Sequence, residues 1–179
     1  MQGLSERKRT SNEKVIEQII LEQYNQYYQL AYSYVHNEAD AGDIVQSGAY
    51  KALRSSHTLR NPKYAKTWVH RIMLNEVFNH LSQPKLESYE SLQEERGNES
   101  EHTQDSYSDI DLQRALDALP SQEKAIVIMR YFEDKKLDEI ADILEINVST
   151  VKSKLYRSME KLRVKLSDES TAIGMGGLV

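Results

Sequence analysis

Apolar residues recur at spacings of three and four along most of this chain, and the two-residue alternation of a half-buried strand is scarce. From Asn12 to Val35 the stripe is Ile16, Ile20, Tyr24, Tyr27, Ala31 and Tyr34, which predicts one long amphipathic helix. Asn37-Glu38-Ala39-Asp40 reads as a turn and cap. A second helix, Ala41 to Ser55, has Ile44, Val45, Ala49, Ala52 and Leu53 on its inner face. Asn61-Pro62 breaks the chain. A third, Tyr64 to Leu81, carries Trp68, Val69, Ile72, Met73, Val77 and Leu81. These three helices predict a small domain over residues 12–85.

The periodicity stops at Pro84. Residues 86–108 are rich in Glu, Ser, Gln and Asn and poor in aliphatics, so they cannot bury enough surface to offset ordering and read as a linker. Four helices follow: Asp109–Leu119, halted by Pro120; Gln122–Phe132, with Ser121 as N-cap; Leu137–Leu144; and Val148–Leu166, opened by Asn147 or Ser149. The last one turns Val151, Leu155, Met159 and Leu162 inward. The tail 167–179 is expected to be disordered. The fold class is therefore all-α: two small helical domains, 12–85 and 109–166, joined by an acidic flexible linker. Only 7 Gly and 3 Pro in 179 residues agree with long helices rather than turn-rich sheets.

Charge changes the picture. The formal net charge of -5 argues, taken whole, against a nucleic-acid binder. The average is misleading. Residues 1–85 sum to +3, residues 86–111 to -8 and residues 112–179 to 0. Between Asn147 and Leu166 stand six basic residues and one acid, a local +5. Other classes are excluded more directly. There are 0 cysteines, so no disulfide framework, Cys-type zinc site or thiol nucleophile. The five histidines lack metal-ligand spacing, and no glycine loop cradles phosphate. Neither a membrane span nor a secretory signal is present, so no membrane insertion is expected and the expected compartment is the cytoplasm. No enzyme activity, cofactor or metal is expected.

The most specific local pattern runs from Leu137 to Tyr156. A short helix turns Ile140, Ala141 and Leu144 inward, Ile146 plugs a turn, and Val151 and Leu155 begin the next inner stripe. That is the arrangement of a helix-turn-helix. The outer face of its second helix offers Ser149, Thr150, Lys152, Ser153, Lys154 and Arg157, then Lys161, Arg163 and Lys165. Short hydroxyls and cations at a helix start reach base edges and phosphates. The last three also complement the helix dipole, the plainer explanation for them.

Leu119-Pro120 through Tyr131-Phe132, with Leu137-Asp-Glu-Ile-Ala-Asp-Ile-Leu144 and Thr150-Val-Lys-Ser-Lys-Leu-Tyr-Arg157, resembles region 4 of a bacterial sigma factor. Leu30-Ala-Tyr-Ser-Tyr-Val35, Ala39-Asp-Ala-Gly-Asp-Ile-Val-Gln46 and Thr67-Trp-Val-His-Arg-Ile72 resemble region 2. Both blocks in this order, with only a linker between, resemble the small extracytoplasmic-function (group 4) sigma factors over residues 12–166.

The resemblance implies a dissociable subunit of RNA polymerase that directs promoter recognition, DNA melting and transcription initiation at a subset of promoters in response to a signal. Its implied partners are core polymerase (the β′ clamp helices and the β flap), promoter DNA and an anti-sigma factor. Asp40, Asp43, Ile44 and Gln46 match the polymerase-docking helix; Asp40 as a cap and Ile44 as core are the plainer alternatives. His70, Arg71 and Asn75 match the segment that reads and melts the -10 element, and they lie on outward positions of the third helix. Ser149, Thr150, Lys152, Ser153, Lys154 and Arg157 match the helix that reads the -35 element. The chain departs from the family pattern in three places. Ser47-Gly48-Ala49-Tyr50 replaces the usual acid and aromatic after Gln46. Glu145 occupies a turn position often held by Gly, and His80–Lys85 is nearly neutral where the family is basic. Two other readings stay open: a stand-alone helix-turn-helix operator-binding regulator, and a sigma-like interaction module that titrates polymerase or an anti-sigma factor.

Overall fold

The computed structural model describes residues 11–83 and 104–175, with side chains described at 11–83 and 110–167. Most of the predicted linker, residues 86–103, lies outside the described residues. The chain forms two compact units whose main boundary falls between Leu81 and Ser82. Among the described residues every regular element is helical. No helix there is long and apolar enough to cross a membrane.

The first unit holds α1 (Ser11–Glu22), α2 (Tyr24–Val35), α3 (Glu38–Arg54) and α4 (Ala65–Ser82), with two 3-10 turns, Ser56–Thr58 and Pro62–Tyr64, before α4. The single helix expected over Asn12–Val35 is broken at Gln23, which leaves helical geometry at φ -109°, ψ 13°. The Tyr27 hydroxyl donates to the Gln23 side chain at 2.6 Å, so a polar contact marks the joint. The break turns Tyr24 out to solvent, away from the stripe on which the spacing had placed it. α3 is capped by Asn37, whose side chain accepts from the Asp40 N–H at 2.9 Å. Ile16, Ile20, Tyr27, Ala31, Ile44, Val45, Val69, Met73 and Val77 share one core. Asn12 ties α1 to the first 3-10 turn, donating to the carbonyls of Ser56 (3.1 Å) and Leu59 (3.0 Å).

The departure at Ser47-Gly48 has a packing cause. A Cβ on Gly48 would collide with the Met73 sulfur and come within 3.5 Å of its Cε and 3.6 Å of Glu76 Cγ. Glycine leaves room at this point for the Met73 thioether reaching across from α4, which offsets its cost of about 1 kcal/mol in a helix interior. Ser47, one residue earlier, donates to Glu76 Oε2 at 2.7 Å.

The second unit holds α5 (Gln104–Asp117), α6 (Ser121–Tyr131), α7 (Leu137–Leu144) and α8 (Val148–Met175). α5 starts five residues earlier than the spacing suggested, and α8 runs on through most of the tail expected to be disordered. Ser121 is the first helical residue, and Pro120 takes the cap position without a side-chain bond. α5 and α6 both pack on α8. Val151 and Leu162 lie buried on its inner face and Leu155 packs beside them. Met159, expected on that stripe, is partly exposed, and the wholly buried Ser158 takes the inward position. One residue of register separates the two, and Ser158 is what lets α6 present a carboxylate at that point. Lys124 is also buried, with its ammonium 2.6 Å from Asp117 at the end of α5.

Candidate nucleic-acid interface

The turn between α7 and α8 is tight enough to need a left-handed residue. Glu145 supplies it at φ 55°, and the N–H groups of Glu145 and Ile146 both donate to the Ala141 carbonyl, the latter at 3.1 Å. At the other end of α7 the Glu139 carboxylate accepts from the Lys136 N–H at 2.8 Å. Ile140 and Ala141 are buried under α7 and Val151 under α8, as a helix-turn-helix requires.

The packing of Val151, Ser158 and Leu162 fixes which face of α8 points outward. Ser149, Lys152, Ser153 and Arg157 are exposed; Thr150 and Lys154 are half-buried at the edges of that face. Ser153 donates to the Ser149 carbonyl at 3.0 Å, and Arg157 Nε to the Ser153 carbonyl at 3.3 Å, so both lie along the helix surface. Two of the three later cations are already engaged. Lys161 is 2.8 Å from Glu123 on α6, and Arg163 is 2.8 Å from Glu160. The positive field of α8 is thereby concentrated on its first three turns. Tyr156 stands in the middle of this face and is 77% exposed. Helical spacing alone places it there, between Lys152–Ser153 and Glu160, an aromatic ring on a face whose charges and hydroxyls are its more conspicuous signal.

Glu123 is buried beneath this helix. The Lys161 hydrogen bond holds its carboxyl below the usual glutamate range against the opposing cost of burial, and the charges of Lys161, Lys154 and Arg157 add to the effect. Ser158 sits 3.4 Å from the same carboxylate, but its hydroxyl is better placed on the Lys154 carbonyl, at 2.8 Å.

In the first unit the candidate residues sort differently. On α3, Asp43 and Gln46 are exposed and Asp40 is half-buried, its carboxylate 3.9 Å from His80 Nε2. Ile44 belongs to the core, so it packs α3 and presents nothing to a partner. On α4, Asn75 is exposed and Arg71 is half-buried. His70 was expected to point outward, but it is 1% exposed and meets the Tyr27 ring edge-on at 5.5 Å. The reason is the width of the inner face of α4: Val69, His70, Met73, Leu74, Glu76 and Val77 are all buried, a broader arc than the apolar residues alone define. Glu76 is the polar member that spacing missed. Burial raises its pKa, but hydrogen bonds from Lys51 (2.5 Å), Ser47 and Asn79 (3.1 Å), with the Lys51 charge, outweigh that and hold it below the usual glutamate range.

Two family descriptions match the chain: Sigma-70 region 2 over residues 19–85 and Sigma-70, region 4 over residues 109–162. RNA polymerase sigma factor SigV of Bacillus subtilis (strain 168) is 38% identical over 169 residues, covering 91% of this chain and 98% of that protein. The chain belongs to the sigma-70 family of RNA polymerase sigma factors. Within the family it falls in the extracytoplasmic-function group. The ECF RNA polymerase sigma factor SigW of the same organism is 28% identical over 156 residues, 79% of this chain and 83% of that one. Two solved structures share the sigma-factor fold. CnrH, in complex with the cytosolic domain of CnrY, superposes at a TM-score of 0.66 with 18% identity, covering 88% of this chain and 91% of its own. RpoE of Bartonella quintana, in complex with the anti-sigma factor NepR, gives 0.64 with 22% identity, 86% and 98% covered.

Proposed function

We propose that this sigma factor carries core RNA polymerase to a subset of promoters in response to a signal, and that α8 reads their -35 element as duplex DNA. The observation that supports this best is the basic, hydroxyl-rich outer face at the start of α8 in a chain of net charge -5. Ser149, Thr150, Lys152, Ser153, Lys154 and Arg157 are the contacting residues. On this reading, residues 109–166 form the -35 domain and residues 12–85 the polymerase-docking and -10 domain, with residues 86–108 as the connection between them. Asp40, Asp43 and Gln46 face the β′ clamp helices, and Arg71 and Asn75 serve the -10 element. The protein itself catalyses no reaction, because nucleotide chemistry belongs to the polymerase. It works in the cytoplasm, where polymerase and promoters are, and an anti-sigma factor holds it inactive, as NepR is bound to RpoE in the solved complex.

Run-off transcription with core polymerase and this protein tests the reading. Transcripts should arise from a subset of genomic promoters, and Arg157→Ala and Lys152→Ala should lower them while polymerase binding persists. Equal transcription with an intact and a mutated -35 box would remove α8 from that role. Tight binding to a defined duplex without polymerase would instead favour an operator-binding regulator.

A further inference from the structure

Glu123 stands in the first turn of α6 and is buried against α8. The helix dipole favours an anion at that position, and Lys161 supplies the counter-charge at 2.8 Å. Lys154, Arg157 and Lys161 follow one another at spacings of three and four, so they form one row along a flank of α8. All three cations act on the Glu123 carboxyl, so this is the flank that adjoins it. Lys161 is bonded to it directly, whereas Arg157 lies along the helix surface with its Nε on the Ser153 carbonyl.

This pair differs from the next one along α8. Arg163 and Glu160 are both exposed, so water and salt screen them and a phosphate can replace the carboxylate at little cost. Glu123 is fixed in the interior, with the buried Ser158 beside it at 3.4 Å. Taking Lys161 away from it would leave an interior charge without its counter-ion, which is far more costly than breaking a surface pair. The Lys161 ammonium is therefore held on the protein even though half of its side chain is exposed.

We propose that Glu123 is a positioning residue for DNA binding: by holding Lys161 it sets how many phosphates α8 neutralises and confines the contact to the first turns of the helix. Phosphate contacts add affinity without sequence information, so withholding this cation leaves a larger share of the binding to the side chains at the start of α8. The inference rests on reading α8 as the helix that meets duplex DNA, and it assigns a role to a residue of α6 that touches no DNA itself.

The test uses the full chain and a short duplex of random sequence, with binding followed by fluorescence anisotropy over a range of salt concentrations. Glu123→Gln keeps the shape and removes the charge. It should tighten binding about five- to tenfold at low salt and steepen the fall of log affinity with log salt by about 0.9, the signature of one added phosphate contact. Glu123→Gln with Lys161→Ala restores the net charge of the unchanged protein and should restore its slope. Glu22→Gln makes the same change in net charge on α1 and should leave the slope as it was. In the unchanged protein, bound duplex should protect Lys152 from acetylation and leave Lys161 as reactive as before, a readout that needs no variant to fold. An unchanged slope for Glu123→Gln, a double variant as steep as the single one, an equal effect of Glu22→Gln, or protection of Lys161 in the unchanged protein would each overturn the proposal. Lys152→Ala separates the two readings. If it weakens duplex binding while Glu123→Gln changes nothing, only the role of Glu123 falls; if it leaves duplex binding intact, the assignment of α8 falls and this proposal with it.

Discussion

Among the described residues, an inner helix of each unit carries a buried glutamate that meets a lysine and a serine from the helix that faces outward. In the first unit Glu76 of α4 meets Ser47 and Lys51 of α3, and Asn79 adds a third donor. In the second, Glu123 of α6 meets Lys161 of α8, with Ser158 at a longer 3.4 Å. The difference lies in how completely the carboxylate is satisfied. Glu76 has three hydrogen-bond donors and its largest single influence is burial. Glu123 depends chiefly on one half-exposed ammonium. The first arrangement clamps two helices together. The second draws one cation of α8 inward and leaves those nearer its start available, so it shapes a charge distribution more than it secures a core.

The largest expected effect comes from a change that removes one side of the comparison altogether. Val151→Asp would place an unpaired charge in the core of the second unit, costing several kcal/mol. Amide spectra should show that unit unfolded while the resonances of the first persist; loss of both would show that the units are not separable in stability. Next, Glu76→Ala should destabilise by about 2–3 kcal/mol, since it removes the carboxylate that takes hydrogen bonds from Lys51, Ser47 and Asn79, while Glu123→Ala should cost about 1 kcal/mol. Equal losses in chemical denaturation would break the distinction drawn here.

Acid sharpens it further. Both carboxyls titrate below their ordinary value in the folded state, so the folded state releases their protons more readily than the unfolded one. Their stabilisation is complete above the ordinary glutamate range and is lost as pH falls through it and below. Glu76→Gln should flatten this acid dependence of unfolding in the first unit. Gly48→Ala comes after these. Its gain of about 1 kcal/mol in helix propensity should be outweighed by the clash with Met73, leaving a net loss of about 1 kcal/mol in thermal unfolding. The smallest effect is expected at Glu145, where glycine relieves the left-handed backbone. Glu145→Gly should raise stability by about 0.5 kcal/mol, and a decrease would mean that the side chain contributes more than the turn costs.

Helix identities, the helix-turn-helix and the basic start of α8 were legible because apolar spacing and local charge are both properties of neighbouring residues. What escaped depended on partners far along the chain. His70 reads as outward until Tyr27 is known to close over it, and Ile44 reads as a docking residue until the core claims it. Gly48 looks like a weakness until Met73 is seen against it. Ser158 and Met159 differ by one position on α8, and only Glu123 on α6 decides which one faces inward. The break at Gln23 has no glycine or proline to announce it, so continuous periodicity carried the helix straight through and hid the turning-out of Tyr24.

The contact between Gly48 and Met73 ties two positions into one choice. Any side chain at 48 requires a shorter or bent-away one at 73, and shrinking 73 alone opens a hole. Relatives that carry a bulkier residue where this chain has Gly48 should therefore carry a slimmer one where it has Met73. Transplanting α3 from such a relative into this protein would fail unless the facing turn of α4 travels with it.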